Sequence, residues 1–212
     1  MSGSNKVIAL RTIFVGICGF FFILSTSIFV TINSIWLYRL FVEVLHLNES
    51  VNLTVKGLMD EYRRIILYLE IPWIQQLKTT LPMSNRAMMH FEDVKNLVIF
   101  NNVVLLISLI SLIFINFKKN YFVEWWKFLT AIRWNVLGMI VVIILGSMNF
   151  SRMFIFFHKI FFRNNNWLFD PIFDPIIKAL PESFFAACFA EFVIVYMIMN
   201  LIIYLLIKNY RL

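Results

Sequence analysis

The feature that most constrains this chain is a stretch without charged residues that begins at Thr12 and ends at Tyr38. A helix needs about 20 apolar residues to cross the hydrocarbon core of a bilayer. Lys6 and Arg11 precede the stretch, as in a signal peptide, but the run is too long for one and no A-x-A cleavage site follows. The sequence therefore predicts a retained membrane helix, with Trp36 and Tyr38 as aromatic anchors at its far end.

Three further apolar runs have the length of membrane spans, at about 97–117, 128–150 and 183–207. Hydrophobic residues make up 61% of the 212 residues, which excludes an ordinary soluble domain. Only helices and closed barrels satisfy their backbone in lipid, and these runs lack the alternating polarity of barrel strands. We predict an all-α polytopic membrane protein in which residues 1–212 form a single membrane domain with four transmembrane helices.

The two longer connections, 39–96 and 151–182, are polar or amphipathic. The first contains Pro72 and Pro82 and stretches such as LMDEYRRIILYLEIPWIQQL, which predict a module of short helices on the bilayer surface. We expect the two connections to form a helical cap on the extracellular side and the mouth of an active site.

The placement of basic residues predicts the orientation. A net charge of +7 would suggest nucleic acid in a soluble protein, but in a membrane protein the position of each charge matters more. Segments 40–96 and 151–182 hold ten basic and ten acidic residues. The remaining polar pieces hold one acid, Glu124, and the basic residues Lys6, Arg11, Lys118, Lys119, Lys127, Arg133, Lys208 and Arg211. The positive-inside rule therefore predicts cytoplasmic N and C termini.

All three histidines, His46, His90 and His158, fall on the predicted outer face. His90 and Asp93 are spaced i, i+3, so a helix leading into the second span would place them on one face. A carboxylate beside an imidazole orients it and raises its basicity, as a general base requires. For the pair taken alone, an interfacial histidine with a solvated aspartate is favoured over this role. His158, in the aromatic run MFIFFHKIFF, is either a headgroup anchor or a partner that faces His90.

Acidic residues supply two further candidate sites. Asp170 and Asp174 could orient a histidine or bind an ammonium group, although helix capping is slightly favoured because each precedes a proline. Glu191 is the one acid well inside a predicted span, where it could pair with Asn101 or Asn102. We favour an interhelical hydrogen bond for Glu191 over a proton relay.

Several motifs of enzyme chemistry are missing from the sequence. It has no Gly-rich phosphate loop, HExxH or GxSxG. Three dispersed histidines without a CxxC make a metal site improbable, and Cys18 and Cys188 lie in apolar runs as expected for buried hydrophobic side chains. This pattern argues weakly against a covalent acyl-enzyme and favours direct transfer assisted by two imidazoles.

Two segments together resemble a known family. HFEDVKNL, and later FHKIFFRNNNWLFDPIFDPIIKALPESFF, are similar to the four-helix bacterial integral membrane proteins that include the lipoprotein intramolecular transacylases. The family pattern is H-x-x-D-V-K before the second span, then F-H, a tryptophan, paired aspartates and a late proline before the fourth. The matching positions are His90, Asp93, Val94, Lys95, Phe157, His158, Trp167, Asp170, Asp174 and Pro181.

The resemblance implies a reaction without a cofactor in the bacterial cell membrane. The family moves the sn-2 acyl chain of a diacylglyceryl-Cys lipoprotein to the α-amino group of its N-terminal Cys, giving the lyso-form. The implied partners are this substrate and membrane lipid, with no nucleic acid. We expect His90 to be the base, oriented by Asp93, and His158 to stabilise the oxyanion or protonate the leaving oxygen, although the two histidines could exchange roles. The candidate substrate-binding residues are Arg152, Trp167, Asp170 and Asp174.

Two other functions compete with this reading. A non-enzymatic assembly or chaperone subunit would depend on the amphipathic stretch 58–77 and tolerate loss of the histidines. A small channel or transporter would need a continuous polar path through several spans, for which the predicted spans offer few polar residues.

Overall fold

The computed structural model describes residues 3–117 and 125–209, and within these ranges it contains helices and no strand. This confirms the all-α prediction. The helices of the described residues are α1 (Gly3–Ile32), α2 (Ile35–Val44), α3 (Leu47–Ser50), α4 (Val55–Glu70), α5 (Asn85–Phe117), α6 (Trp125–Met148), α7 (Phe150–Phe161), α8 (Ile176–Ala179) and α9 (Glu182–Asn209).

Four of the described helices, α1, α5, α6 and α9, are long and apolar enough to cross a membrane. Their qualifying segments are Lys6–Ile32, Asn85–Ile115, Lys127–Met148 and Glu182–Lys208. The predicted number of spans is therefore confirmed. Four of the residues used to predict the orientation, Lys118, Lys119, Glu124 and Arg211, lie outside the described residues.

The first span ends at Ile32, six residues before the predicted end at Tyr38. Polar side chains cause the break that follows. The Asn33 amide donates to the Phe29 carbonyl at 2.9 Å and to Glu70 Oε1 at 2.9 Å. These bonds hold the chain in a turn, and the separate helix α2 begins at Ile35.

The predicted role of Tyr38 as an interfacial anchor is wrong. Its side chain is 1% exposed and stacks on Tyr62 with ring centroids 3.8 Å apart. Its hydroxyl donates to the Ala179 carbonyl oxygen at 3.0 Å. Trp36, the other predicted anchor, is exposed. Tyr38 therefore belongs to the packed interior of the outer segments, because α2 returns it onto α4.

The amphipathic stretch 58–77 is helical only as far as Glu70. Thr54 caps α4 by accepting a hydrogen bond from Gly57 N–H at 3.0 Å, and Pro72 excludes continuation beyond the C-cap at Ile71. Residues 71–84 contain no helix. The buried Glu61 carboxylate holds this segment by accepting hydrogen bonds from Thr80 N–H and Oγ1–H.

The chain divides into two compact units. One comprises Met1–Ile28, Asn101–Ser147 and Phe192–Leu212, and its apolar cluster contains Val15, Phe128, Ile132 and Ile207. The other comprises Phe29–Phe100 and Met148–Glu191. Its larger core draws on α2, α4, α5, α8 and α9 and includes Leu37, Tyr38, Val42, Leu58, Tyr62, Ile65, Phe91, Ile176, Ala179 and Phe184. The single membrane domain over 1–212 stays a prediction.

Candidate active site

The second unit brings His90 and His158 together. His90 lies on α5 and His158 lies on α7, and each side chain is 8% exposed. Ser84 Oγ accepts a hydrogen bond from Ala87 N–H at 3.2 Å at the start of α5, as an N-cap does. Asn149 caps α7 by accepting from Arg152 N–H at 2.9 Å. Both histidines therefore sit on helices whose first turns are capped.

The two imidazole rings lie side by side, with centroids 5.7 Å apart and planes inclined by 35°. This distance leaves room for one reacting atom between the rings. Proton transfer needs a ring nitrogen within hydrogen-bond reach, about 3 Å, of the reacting group. Of the two possibilities that the sequence left open for His158, the structure contains the one in which it lies beside His90.

Aromatic side chains surround the histidine pair. His90 makes edge-to-face contacts with Phe162 at 4.8 Å and with Phe169 at 5.5 Å between centroids. The indole of Trp167 lies 4.9 Å from the His158 ring. The sequence analysis selected Trp167 but missed both phenylalanines, whose only sequence signal is their place within an aromatic-rich outer segment.

A backbone hydrogen bond sets the tautomer of His158. Its Nδ1 lies 2.7 Å from the carbonyl oxygen of Phe154. A carbonyl oxygen only accepts, so Nδ1 carries the proton and Nε2 of the neutral ring carries the lone pair. Burial lowers the pKa of His158, and the hydrogen bond to Phe154 opposes part of that shift. His158 thus presents a neutral, basic Nε2.

Nδ1 of His90 makes no hydrogen bond to Asp93 among the described residues. The predicted helix does contain both residues, but Nδ1 of His90 is buried and has no hydrogen-bond partner among the described residues. Asp93 Oδ2 accepts instead from the Asn164 side-chain amide at 2.9 Å. One oxygen of the Asp93 carboxylate is therefore bonded to Asn164 of the loop after α7, and the orientation of His90 by Asp93 stays a prediction.

Asp174 has a scaffold position. Its carboxylate is 3% exposed and accepts from Ser84 N–H at 2.6 Å and from Ser84 Oγ–H at 3.0 Å. The favoured capping role is wrong for the Asp174 side chain, because no side-chain hydrogen bond caps the start of α8. Both carboxylate oxygens instead fix the start of the helix that carries His90.

Asp170 and Arg152, two further predicted substrate-binding residues, have exposed side chains. Asp170 is exposed, and its Oδ1 accepts from Ile172 N–H at 2.8 Å in a local turn. Arg152 lies in the first turn of α7 with an exposed side chain, more than one turn before His158. Of the four predicted substrate-binding residues, Trp167 is the one that contacts a histidine ring in the structure.

Lys95 has a buried structural position. Its ammonium group donates to the Ile71 carbonyl at 3.0 Å and to the Ile74 carbonyl, and it lies 4.4 Å from the centre of the Tyr68 ring. The side chain is 6% exposed. These contacts fasten the non-helical segment after α4 to α5, which also carries His90.

Glu191 has a partner other than the predicted asparagines. Its Oε1 accepts from Ser34 Oγ–H at 2.5 Å, which joins α9 to the break between α1 and α2. Asn101, in the other unit, donates to the Ser25 carbonyl at 3.2 Å. The favoured interpretation of Glu191 as a structural hydrogen-bond acceptor agrees with this contact, although the predicted partner was wrong.

The comparisons with known proteins show the family of this chain. A family model described as lipoprotein intramolecular transacylase Lit matches residues 13–185, which include both histidine segments and the loop between α7 and α8. Among curated proteins, none has a significant sequence match to this chain.

Solved structures of one protein share this fold. The membrane integral lipoprotein intramolecular transacylase Lit from Bacillus cereus matches with a TM-score of 0.87 and 27% identity, over 97% of this chain and 96% of that chain. Two further structures of the Bacillus cereus protein carry a histidine replaced by arginine or by alanine. Each matches with a TM-score of 0.80 and 26% identity over 97% of this chain, and over 92% and 94% of the solved chains.

Proposed function

Because this chain belongs to the lipoprotein intramolecular transacylase family, we propose that His90 and His158 catalyse the acyl transfer within one lipoprotein molecule. The protein is a multi-pass membrane enzyme, an intramolecular acyltransferase whose substrates are lipoproteins. Family membership selects this function over the channel and over the assembly subunit.

The proposed substrate is a lipoprotein whose N-terminal Cys carries a diacylglyceryl group on sulfur. The α-amino nitrogen attacks the carbonyl carbon of the sn-2 ester, an amide bond forms, and the bond from that carbon to the glycerol oxygen breaks. The amine loses a proton and the glycerol oxygen gains one, so the reaction balances without a cofactor. Donor and acceptor belong to one molecule, which supplies much of the proximity advantage of an intramolecular reaction.

His158 is the proposed general base. This exchanges the roles expected from the sequence, in which His90 was the base. The observation that carries this assignment is the hydrogen bond between Nδ1 and the Phe154 carbonyl oxygen, because it leaves Nε2 as the proton acceptor. Burial keeps the ring neutral, since it lowers the pKa of His158. A neutral imidazole beside the amine removes its proton as the nitrogen–carbon bond forms.

His90 is the proposed partner of the developing oxyanion and of the leaving oxygen. Its ring lies close enough to His158 for both to reach one tetrahedral carbon and its substituents. A buried polar nitrogen without a hydrogen bond is unfavourable, and Nδ1 of His90 is such a nitrogen among the described residues. Donation from His90 to the substrate oxygen stabilises negative charge where it develops.

The surrounding residues have supporting roles. Trp167 and the phenylalanines around the rings provide an apolar enclosure for the ester, and the exposed Asp170 lies on the loop side, where an ammonium group can approach from water. Asp93 holds the loop after α7 by accepting a hydrogen bond from Asn164, and Asp174 holds the start of α5 by accepting from Ser84.

The proposed orientation places both termini in the cytoplasm and the histidine pair on the outer side of the membrane. Lys6, Lys127 and Lys208 lie at the ends of spans on the predicted cytoplasmic side. The outer segments 39–96 and 151–182 contribute both histidines, as expected for a cap and active-site mouth. Membrane lipid surrounds the apolar spans, and the lipoprotein's acyl chains enter the enclosure from it.

The test uses the purified full chain in lipid nanodiscs with a synthetic diacylglyceryl-Cys peptide. Transfer leaves the peptide mass unchanged but blocks its α-amine, so amine labelling followed by fragmentation mass spectrometry measures the product. His90→Ala and His158→Ala should each lower kcat/KM by about 10²–10⁴-fold. His46→Asn is the matched control, because His46 is exposed and has a left-handed backbone that Asn tolerates. Normal rates in both active-site variants would refute the catalytic assignment.

A further inference from the structure

We propose that Asn164 is a positioning residue that holds the loop of residues 162–169 over the two histidines, and that this closure makes the enzyme a transferase instead of a hydrolase. The inference rests on the proposed function, in which His90 and His158 act on the ester. It concerns a different property, namely whether the acyl group goes to the amine or to water.

Asn164 uses three of its polar groups in hydrogen bonds. Its side-chain nitrogen donates to Asp93 Oδ2 at 2.9 Å, which ties the loop to the helix that carries His90. Its side-chain oxygen accepts from Asn166 N–H at 3.0 Å, and its main-chain oxygen accepts from Trp167 Nε1–H at 3.0 Å. The exposed side chain of Asn164 thus connects the loop to α5, and its main-chain carbonyl orients the indole.

The loop held in this way supplies three rings around the histidines. Phe162 and Phe169 lie against His90, with centroids 4.8 and 5.5 Å away, and Trp167 lies 4.9 Å from His158. The segment from 162 to 170 contains no helix or strand. Main-chain hydrogen bonds join its first residue to α7 and close a local turn, from Phe162 N–H to His158 and from Leu168 N–H to Asn165. The side-chain bond between Asn164 and Asp93 links its first half to α5.

The chemistry of the site makes this enclosure important for the outcome. A base that removes a proton from the substrate amine can equally remove one from water, and water attack on the ester gives a free fatty acid and the same glycerol hydroxyl. The amine has the advantage of proximity, but water is always present. Rings that cover both imidazoles exclude water from the ester, so the aminolysis pathway is favoured.

The experiment measures the ratio of fatty acid released to peptide N-acylated, with the full-length enzyme in nanodiscs and the diacylglyceryl-Cys peptide. Hydrolysis lowers the peptide mass by one acyl group and leaves the amine free, so both products are quantified in one sample. Asn164→Ala removes a hydrogen bond to a carboxylate and should raise the ratio by about tenfold. Asn165→Ala, a change at the exposed neighbouring position, should leave it at the wild-type value.

A second variant separates loop positioning from general damage. Trp167→Phe keeps an aromatic ring near His158 but removes the N–H that donates to Asn164, and it should also raise the ratio. A merely destabilised enzyme loses both products together, so an unchanged ratio in Asn164→Ala and Trp167→Phe would overturn the proposal. Failure of the proposed function is a separate result, because it appears as normal acyl transfer by the His90→Ala and His158→Ala enzymes.

Discussion

Asp174 accepts two hydrogen bonds from Ser84, one from its main-chain N–H and one from its hydroxyl. This pair joins the loop before α8 to the first turn of α5, and therefore to the helix of His90. Neither residue contacts a histidine ring, yet together they fix the start of the helix that carries His90. The site is thus built partly by residues that stand outside its aromatic enclosure.

Replacement of Asp174 by Ala should destabilise the protein by about 2 kcal/mol, because the half-buried Ser84 donors lose their buried acceptor. Thermal unfolding of the detergent-solubilised enzyme measures this loss. Asp170→Ala is the matched control, since Asp170 is exposed and accepts one hydrogen bond in a local turn. It should cost about 0.5 kcal/mol or less. Equal stability of the two variants would contradict the scaffold role of Asp174.

Lys95→Met should release the segment between α4 and α5. The substitution keeps the apolar stem but removes the ammonium group that donates to the Ile71 and Ile74 carbonyls. Hydrogen exchange should therefore rise over residues 71–84, with a loss of about 2 kcal/mol in overall stability. Lys78→Met, at an exposed position of the same segment, should leave exchange unchanged. Unaltered protection of residues 71–84 in Lys95→Met would count against this role.

His158 should titrate below the ordinary histidine value of 6.5, because burial opposes its protonated form. Imidazole NMR of labelled enzyme, with His158→Gln used to assign the signal, measures the pKa. A value at or above 6.5 would contradict a neutral resting base.

The same shift predicts a pH dependence of stability. The unfolded chain binds a proton at His158 more readily than the folded enzyme does. The contribution of neutral His158 to the free energy of unfolding is therefore fully present above pH 6.5. It is lost as the pH falls through 6.5 towards the pKa of His158 in the folded enzyme. His158→Gln should remove this part of the acid destabilisation, which unfolding measured at several pH values between 5 and 7 tests. The result is independent of the substrate amine, whose own titration affects activity.

The sequence by itself determined the four membrane spans and the i, i+3 spacing of His90 and Asp93, and its resemblance to a known family selected His90 and His158 as the candidate pair. The spans follow from hydrophobicity and charge, which act over short stretches of chain. The i, i+3 spacing predicted that a helix in this segment would bring His90 and Asp93 onto one face, and the helix α5 contains both.

Only the tertiary structure decided which groups meet. Asp93 bonds to Asn164 instead of His90, Tyr38 stacks on Tyr62 instead of anchoring a span, and the Phe154 carbonyl selects the tautomer of His158. The first two contacts join residues far apart in the chain, and the third depends on how one ring turns back along its own helix. Their existence depends on how helices pack and on which rotamers that packing allows, so no local pattern in the sequence encodes them.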